Sequence, residues 1–286
     1  MSYFNDLKYK YSVFSIAEKI IFINIIFFLT PYFINTLLFL FSVDAKSYLE
    51  IFLLSPEFYN LIFKPWTIVT YSFIHDGFFH LFWNMLLLYY VSRMILNLFS
   101  SSTFINIYFL GVIIGGLFFL LSYSFFPVFK GDFSSMAGSS AGVMAAIIFM
   151  CTYSPDNEIR IFFFNLKLKY IGMLFFIFDI IQIPYGNSGG HIAHIGGAIL
   201  GFFYARNMIN GRDIGSNFEK IWKFFFKKRM KKATNISHKT LVRNNKRNDD
   251  SEKQKKIDSI LDKISNSGYE SLSDEEKNIL SNYGKD

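Results

Sequence analysis

The chain has 286 residues, of which 52% are hydrophobic and 20% aromatic, and its formal net charge is +7. Near-continuous apolar runs of this kind exclude an ordinary soluble protein and predict a membrane protein with a polar appendage. The single cysteine, Cys151, excludes an internal disulfide and a cysteine-based metal cluster, and we expect it to pack within a helix. Asp6, Lys8 and Lys10 precede the first apolar run and no small-residue cleavage site follows it, so we expect no cleavable signal peptide.

Six hydrophobic spans follow one another along the chain. Apolar stretches of about 18 residues or more are typical of membrane helices. The fourth span is short, which favours a helix surrounded by protein rather than by lipid. The predicted spans cover residues 20–41, 79–98, 104–125, 139–153, 170–183 and 191–207.

The charges that flank the spans predict their orientation. Lys8, Lys10 and Lys19 precede the first span and a basic run begins at Arg206 after the last, so both termini should be cytoplasmic. Residues 42–78 then fall outside, as a loop long enough to form a structured element in the interface. In this topology the second, fourth and sixth spans all start on the outer side, at similar depth.

The residues after the last span have a different composition. Between Arg206 and Arg247 the acids are only Asp213 and Glu219, among many Lys and Arg. Directly after a membrane helix, this bias favours a cytoplasmic anchor over nucleic-acid binding, so we predict no nucleic-acid partner. Within this region a basic, aromatic stretch suits an anionic lipid surface and a polar stretch is expected to be disordered. These stretches cover residues 222–232 and 239–256, respectively.

Helical periodicity returns near the C-terminus. Gly268 is a helix-stop signal, and Ser273 with Glu276 forms a capping-box pattern that starts a second helix. We predict a small soluble helical element with an interaction or regulatory role, which binds an unknown cytoplasmic partner. The apolar residues that recur at helical spacing are Ile257, Ile260, Leu261 and Ile264. The predicted domains are an N-terminal segment (1–19), the membrane domain (20–207), a basic linker (208–256) and the helical element (257–286).

Polar residues that suit acyl-transfer chemistry stand near the starts of three spans. Ser140 lies in Gly-Ser-Ser-Ala-Gly at residues 138–142, and His194 lies near the start of the sixth span. Serine needs an adjacent base to act as a nucleophile, and His194 is the best candidate. His80 and Asn84 share one face of the second span, and both can donate hydrogen bonds to an oxyanion. These residues predict a serine protease that works inside the membrane.

Small residues predict a close crossing of the fourth and sixth spans. Such stripes let membrane helices approach closely, which would bring Ser140 within hydrogen-bond reach of His194. Gly138 allows a tight approach to the helix, and its backbone could line an oxyanion site. A helix that begins at Ser140 also presents free N–H groups and a positive dipole end. The stripes are Ala137, Ala141 and Ala145 on the fourth span, and Ala193, Gly197 and Gly201 on the sixth.

Each motif also has a simpler interpretation. Small residues with serine are common at membrane helix interfaces, and a histidine at a membrane edge is usually a hydrogen-bonded structural residue. The Gly-x-Ser-x-Gly match to an α/β-hydrolase turn requires a strand and a soluble sheet, which the sequence does not predict. His191 and His194 with His80 could bind a metal, but no His-Glu-x-x-His motif occurs, and we predict no metal and no other cofactor. Asp179, the one acid inside a span, is expected to pack or to line a cavity, with orientation of a histidine as the alternative.

Taken together, these residues resemble the rhomboid family of intramembrane serine proteases. The order, spacing and topology of the motifs match over residues 20–207, and the tail resembles the helical extension of some bacterial rhomboids. The matching residues are His80-x-x-x-Asn84, with His75 before it, Gly138-x-Ser140, and Ala193-His194-x-x-Gly197-x-x-x-Gly201.

The resemblance implies a fold and an activity. The fold is an all-α membrane protein, a six-transmembrane-helix rhomboid-like bundle with a small soluble helical C-terminal extension, in a bacterial inner membrane. The activity is cleavage of membrane-anchored proteins, near a helix end and within the lipid bilayer, by a dyad of Ser140 and His194 with no obligatory acid. The resemblance also implies an oxyanion hole formed by His80, Asn84 and the Ser140 backbone N–H. The supporting residues that it implies are Gly138, His75, Gly197 and Gly201.

Two departures from the family and two rival functions accompany this hypothesis. The family usually has Gly after the serine, where this chain has Ala141; alanine is small, so we still expect activity. The family often has a Glu late in the second span, where residues 93–97 read Arg-Met-Ile-Leu-Asn, and the loss of this support bears on stability. The rivals are a catalytically inactive relative that binds membrane proteins, disfavoured by the retained Ser and His, and a small transporter, disfavoured because no internal repeat is visible. We also predict that the fifth span and the loop at residues 186–190 gate access to the site.

Overall fold

The computed structural model describes residues 9, 11–43, 48–161, 163–224, 258–266, 268 and 272–277. The chain divides into two compact units, residues 1–219 and residues 220–286. The stretch predicted to be disordered, residues 239–256, lies outside the described residues, as does most of the predicted lipid-surface stretch.

In the described residues, the helices named α1 to α6 make up most of the first unit. Four of them, α1, α2, α3 and α5, are long and apolar enough to cross a membrane, with α5 extended to Tyr185 by a 3₁₀ turn. The fourth is a shorter apolar helix, so the count of six spans stays a prediction. The bounds are Ile16–Leu40 for α1, Phe78–Leu98 for α2, Ser101–Phe125 for α3, Ser140–Tyr153 for α4, Leu168–Gln182 for α5 and Ser188–Ile209 for α6.

The short helix α4 lies at the centre of the bundle. Every residue from Ala141 to Cys151 is buried, and α2, α3, α5 and α6 all pack around it. The outer helices α1 and α5 instead expose large apolar side chains along most of their length. Because an apolar face of this kind suits lipid, the bundle is that of a multi-pass membrane protein with a protein-enclosed core. The predicted enclosure of the fourth helix by protein is confirmed.

Helices α1, α3 and α6 each begin at least three residues earlier than hydropathy predicts, and the reasons for α1 and α6 are clear. Helix α1 starts at Ile16 because Ser15 and Glu18 form a reciprocal capping box, and its polar first turn carries no hydropathy signal. Helix α6 starts at Ser188, so most of the predicted gating loop is helical and only Gly186 and Asn187 remain outside helices. The glycines of this turn allow close packing: a Cβ on Gly189 would lie 2.8 Å from the ring of Phe119.

The long connection before α2 is folded. It contains helices at Phe58–Phe63 and Thr67–Thr70 and 3₁₀ turns at Tyr48–Ile51 and Tyr71–Phe73. The Trp66 indole donates to the carbonyl of Ile51 at 2.8 Å and so links the first 3₁₀ turn to the start of the second helix. A structured element was predicted here, and the structure confirms one.

A short β-hairpin between α4 and α5 was not predicted. Strand β1, Glu158–Ile161, pairs antiparallel with β2, Phe164–Lys167. The alternation of Ile159 and Ile161 with polar residues is a strand signal, but four residues are too few to identify it from sequence. Beside the hairpin, Asp156 forms ion pairs with Lys167 and Lys169.

In the second unit the C-terminal helical element is folded as predicted where it is described. Residues 258–266 are helical, and Gly268 follows with a φ of +77°, a conformation that suits glycine at a helix end. Ser273 and Glu276 exchange the two capping-box hydrogen bonds at 2.8 and 3.3 Å. Lys263 bridges to Glu276 at 2.9 Å, and Ile260 and Leu272 are buried. Ile257 lies outside the described residues.

Candidate active site

The site is built around the start of α4, where Ser140 is the first helical residue. Its backbone N–H and those of the first turn have no partner within the helix, so they point a positive dipole end toward the preceding loop. Gly138 reaches this point with a φ of +116°, a conformation that side chains rarely adopt. A Cβ at Gly138 would lie 2.8 Å from Cε1 and Nε2 of His80 and 3.7 Å from Oγ of Ser140. The absent side chain therefore lets the His80 ring lie directly beside the serine.

Helices α2, α4, α5 and α6 enclose a cavity of about 400 Å³ that contains the predicted catalytic residues. Its polar lining includes His80 and Asn84 on α2, Ser140 on α4 and His194 on α6. Its apolar lining includes Phe79, Trp83, Leu87, Met144, Phe175 and Phe178. The structure thus brings all four predicted side chains to one space, although they come from three separate helices.

Within this cavity the hydrogen-bond donors are partly engaged. Asn84 donates one amide hydrogen to the carbonyl of His80 at 2.9 Å, which leaves its second amide hydrogen for a ligand. Ser140 Oγ makes no hydrogen bond in the described part of the chain, including to His194. In an unliganded active site the bond between nucleophile and base is often long and tightens only when substrate binds.

His194 contacts a carboxylate on a neighbouring helix. Its Nδ1 lies 2.8 Å from Oδ1 of Asp179 on α5, and Nδ1 of His191 lies 2.7 Å from the same oxygen. Asp179 is 4% exposed, and it lines the cavity with both histidines. Asp179 lines a cavity, as expected, and also contacts a histidine, as in the alternative prediction; its contact with a second histidine was not anticipated.

His75 makes hydrogen bonds to the loop that precedes Ser140. Its Nε2 lies 3.2 Å from Oγ of Ser139 and accepts from the Ser139 backbone N–H at 3.4 Å. Its ring also packs edge-on against His80, with centroids 5.1 Å apart. Burial, and to a smaller extent the neighbouring His80, lowers the pKa of His75 to about 3. His75 is therefore neutral at ordinary pH and fixes the position of Ser139.

A second, polar cavity of about 460 Å³ adjoins the first. His80 and Asn187 line both, so the two cavities meet beside the serine loop. Polar side chains of the loop before α4 line the outer cavity, among them Asp132, Ser134 and Ser135. The site is therefore apolar toward α2 and α5 and polar toward the loops, which is the side that suits entry of water.

Helices α4 and α6 approach each other backbone to backbone. A Cβ on Gly197 would overlap the carbonyl oxygen of Ala141, and one on Gly201 would overlap that of Ala145. The methyl group of Ala141, which replaces the usual glycine, faces Gly115 on α3, where a Cβ would clash with it. Gly115 thus provides the space that the departure from the family pattern requires.

The family often has a Glu late in the second span, and the corresponding residues of α2 make other contacts here. Ile95 is fully buried in the apolar core, and the exposed Arg93 donates to the hydroxyl of Tyr89 at 3.0 Å.

Farther along the bundle, Asp213 accepts from the buried Tyr204 hydroxyl and, at 2.9 Å, from the Gly215 backbone N–H. No sequence pattern predicts these hydrogen bonds of Asp213, because they depend on a turn after α6.

Comparison with known families agrees with this architecture. Residues 63–210 match the Rhomboid domain, and residues 243–286 match a family of unknown function, DUF6576. A comparison with curated proteins gave no significant match. The Rhomboid match covers α2 to α6 and all four predicted catalytic and oxyanion residues in the cavity. The chain therefore belongs to the rhomboid family, whose members are intramembrane serine proteases or inactive relatives of them.

Proposed function

We propose that the protein is an intramembrane serine endopeptidase that cleaves membrane-anchored proteins near the end of a transmembrane helix. The observation that carries the proposal is the shared cavity, which Ser140, His194, His80 and Asn84 all line at the N-terminal end of α4. A nucleophile, a base and several oxyanion donors in one water-accessible space are the components of acyl transfer.

In the proposed mechanism His194 removes the hydroxyl proton of Ser140, whose oxygen attacks the substrate carbonyl. His80, the free amide hydrogen of Asn84 and the Ser140 backbone N–H stabilise the oxyanion. The C–N bond then breaks, and His194 delivers its proton to the leaving amine. Water enters through the polar cavity, hydrolyses the acyl-enzyme and regenerates the serine. Loss of a single oxyanion donor typically costs about 100- to 1,000-fold in rate.

The substrate approaches from the apolar side of the cavity. Helices α2 and α5 both pack on α4, and the aromatic residues that they direct at the cavity include Trp83 and Phe178. A helical peptide bond is shielded by its own helix, so the substrate must unwind locally, and helix-destabilising residues near the cleavage site should help. Joining α2 to α5 through cysteines at these two positions should stop cleavage of membrane substrates, whereas unimpaired cleavage would contradict this entry route.

The proposal is tested by reconstituting the full chain in liposomes with a single-pass fusion protein that carries a reporter at each end. Wild type should release the reporter, whereas Ser140→Ala and His194→Ala should fall to background. Ser154→Ala, at the opposite end of the same helix, is the matched control and should cleave like wild type. Cleavage that persists in Ser140→Ala would refute the assignment of the nucleophile.

The alternative within the family is an inactive relative that binds membrane proteins. It is favoured by one observation, the lack of a hydrogen bond from Ser140 Oγ to His194. An inactive relative would retain a single-pass partner in a pull-down without cutting it, and it would do so equally well after Ser140→Ala. The family match leaves no support for a transporter.

The orientation predicted from flanking charge belongs to the same proposal. Both termini would be cytoplasmic in a bacterial inner membrane, which puts the serine end of α4 on the outer side. The C-terminal helical element would then be available to a cytoplasmic partner. Reporter fusions at each terminus would test this topology, and an external C-terminus would contradict it.

A further inference from the structure

We infer that Asp179 is a positioning residue for the catalytic base and holds His194 in the tautomer that accepts the serine proton. This inference rests on the proposed function, because it concerns how His194 acts on Ser140. The resemblance to rhomboids implies a dyad without an obligatory acid. Here α5 supplies a carboxylate that contacts the base directly, at 2.8 Å from its Nδ1.

A carboxylate at this depth in a membrane helix is costly unless its environment compensates it. Ionisable residues inside membrane segments pair with each other and are functional candidates by default. Asp179 is compensated by two imidazoles, since Nδ1 atoms of His191 and His194 lie 2.7 and 2.8 Å from its Oδ1. His191 and His194 are three residues apart on α6, so both reach the carboxylate from one helix face.

The ring nitrogen of His194 that bonds to Asp179 determines which nitrogen is left to accept the Ser140 proton. In the inferred arrangement the Asp179 carboxylate accepts this hydrogen bond, so Nδ1 of His194 carries the proton. In a neutral imidazole this leaves the lone pair on Nε2, the nitrogen that must accept the Ser140 proton. When His194 becomes an imidazolium, the adjacent carboxylate also stabilises the new charge. An acid beside the base has these same two roles in Ser-His-Asp triads of other folds.

His191 makes it possible to distinguish a purely structural role of Asp179 from a role in positioning His194. It bonds the same Asp179 oxygen as His194, comes from the same helix and is likewise half-buried. If the carboxylate served only to tie α5 to α6, losing either histidine bond would have a similar effect. If it positions the base, changes to His191 and changes to Asp179 should have very different effects on the chemical step.

A metal ion is the competing occupant of this cluster. The ligand atoms of Asp179, His191 and His194 all lie within 4.8 Å of one another, and a metal would occupy Nδ1 of His194 in place of the proton. The short N–O separations are those of charge-assisted hydrogen bonds, which favours the proton. Inhibition by a chelator, reversed by zinc, would therefore overturn the inference.

The experiment compares wild type with Asp179→Asn and His191→Gln as purified full-length proteins, with kcat and KM for a membrane substrate and thermal unfolding measured together. Asp179→Asn should lower kcat by about 100- to 10,000-fold with little change in KM, since the wrong tautomer then becomes accessible. His191→Gln should lower kcat by less than about tenfold, because the bond to His194 persists. Equal losses of kcat in both variants, matched by equal losses of thermal stability, would overturn the inference. Asp179 would then serve only to link α5 to α6.

A spectroscopic measurement separates this inference from the proposed function. In protein labelled with ¹⁵N-histidine, His194 should be protonated at Nδ1 in wild type and should lose this preference in Asp179→Ala. The inference requires this tautomer whether or not the protein cleaves any substrate. A wild type that has the tautomer but is inactive would therefore refute only the proposed function. A His194 protonated at Nε2 in wild type would overturn the inference itself.

Discussion

Replacing Gly197 by alanine should disable the site without touching a proposed catalytic residue. A Cβ there would overlap the Ala141 carbonyl oxygen and lie 3.0 and 3.3 Å from the carbonyl carbon and Cα of the same residue. These are backbone atoms that cannot rotate away, so α6 must move from α4. His194 lies one turn from Gly197 on α6, and it would move away from Ser140 with the helix.

The size of the effect follows from the displacement. Overpacking a well-packed contact typically costs about 1–3 kcal/mol of stability. A displacement of roughly 1 Å at reacting groups costs on the order of 100-fold in rate. We therefore expect Gly197→Ala to lower the melting temperature and to reduce kcat/KM by about 100-fold.

The assay measures thermal unfolding and the initial rate of cleavage in the same detergent preparation. Gly77→Ala is the matched control, because a Cβ at Gly77 would meet no atom within 4 Å and its backbone is extended. The control should match wild type in both measurements. A Gly197→Ala protein with wild-type stability and rate would refute the inferred backbone contact between α4 and α6.

Substitutions at three further positions test the site and the bundle that carries it. Gly138→Ala should abolish activity, measured as substrate cleavage, because its φ is +116° and the new Cβ would lie 2.8 Å from the His80 ring. His75 regains its ordinary pKa of 6.5 on unfolding, so the unfolded chain binds the proton more tightly between pH 6.5 and about 3. Stability should therefore fall as pH drops through this window, by up to roughly 1.4 kcal/mol per unit, and thermal unfolding of His75→Gln should lack that component. Asp213→Ala should cost about 1–3 kcal/mol in a denaturation experiment by leaving the buried Tyr204 hydroxyl unpaired, whereas Asp213→Asn should cost much less.

The helices are predictable from sequence because all of them are surrounded by lipid or by protein. Both surroundings favour apolar residues, which hydropathy detects. The start of α4 was predictable to within one residue, since small residues and serines interrupt the sequence at the edge of an apolar run. The starts of α1 and α6 were not, because one depends on a capping box and the other on glycines that pack against Phe119.

The candidate site was only partly predictable for a related reason. Its four central residues follow from motif spacing, which places each near the start of a helix. The contacts of Asp179 with His191 and His194 span 12 and 15 residues and depend on how α5 and α6 rotate against each other. Hydropathy has no information about that rotation. The accommodation of Ala141 by Gly115 likewise depends on a tertiary contact that no local pattern encodes.

The most direct test of the catalytic claim is labelling of the purified protein with a fluorescent fluorophosphonate, comparing wild type with Ser140→Ala and His194→Ala. An activated serine forms a covalent adduct with this probe, and activation requires the base. We predict that wild type is labelled and that both variants are not. Equal labelling of all three proteins, or labelling of none, would contradict the dyad of Ser140 and His194 and favour the inactive relative.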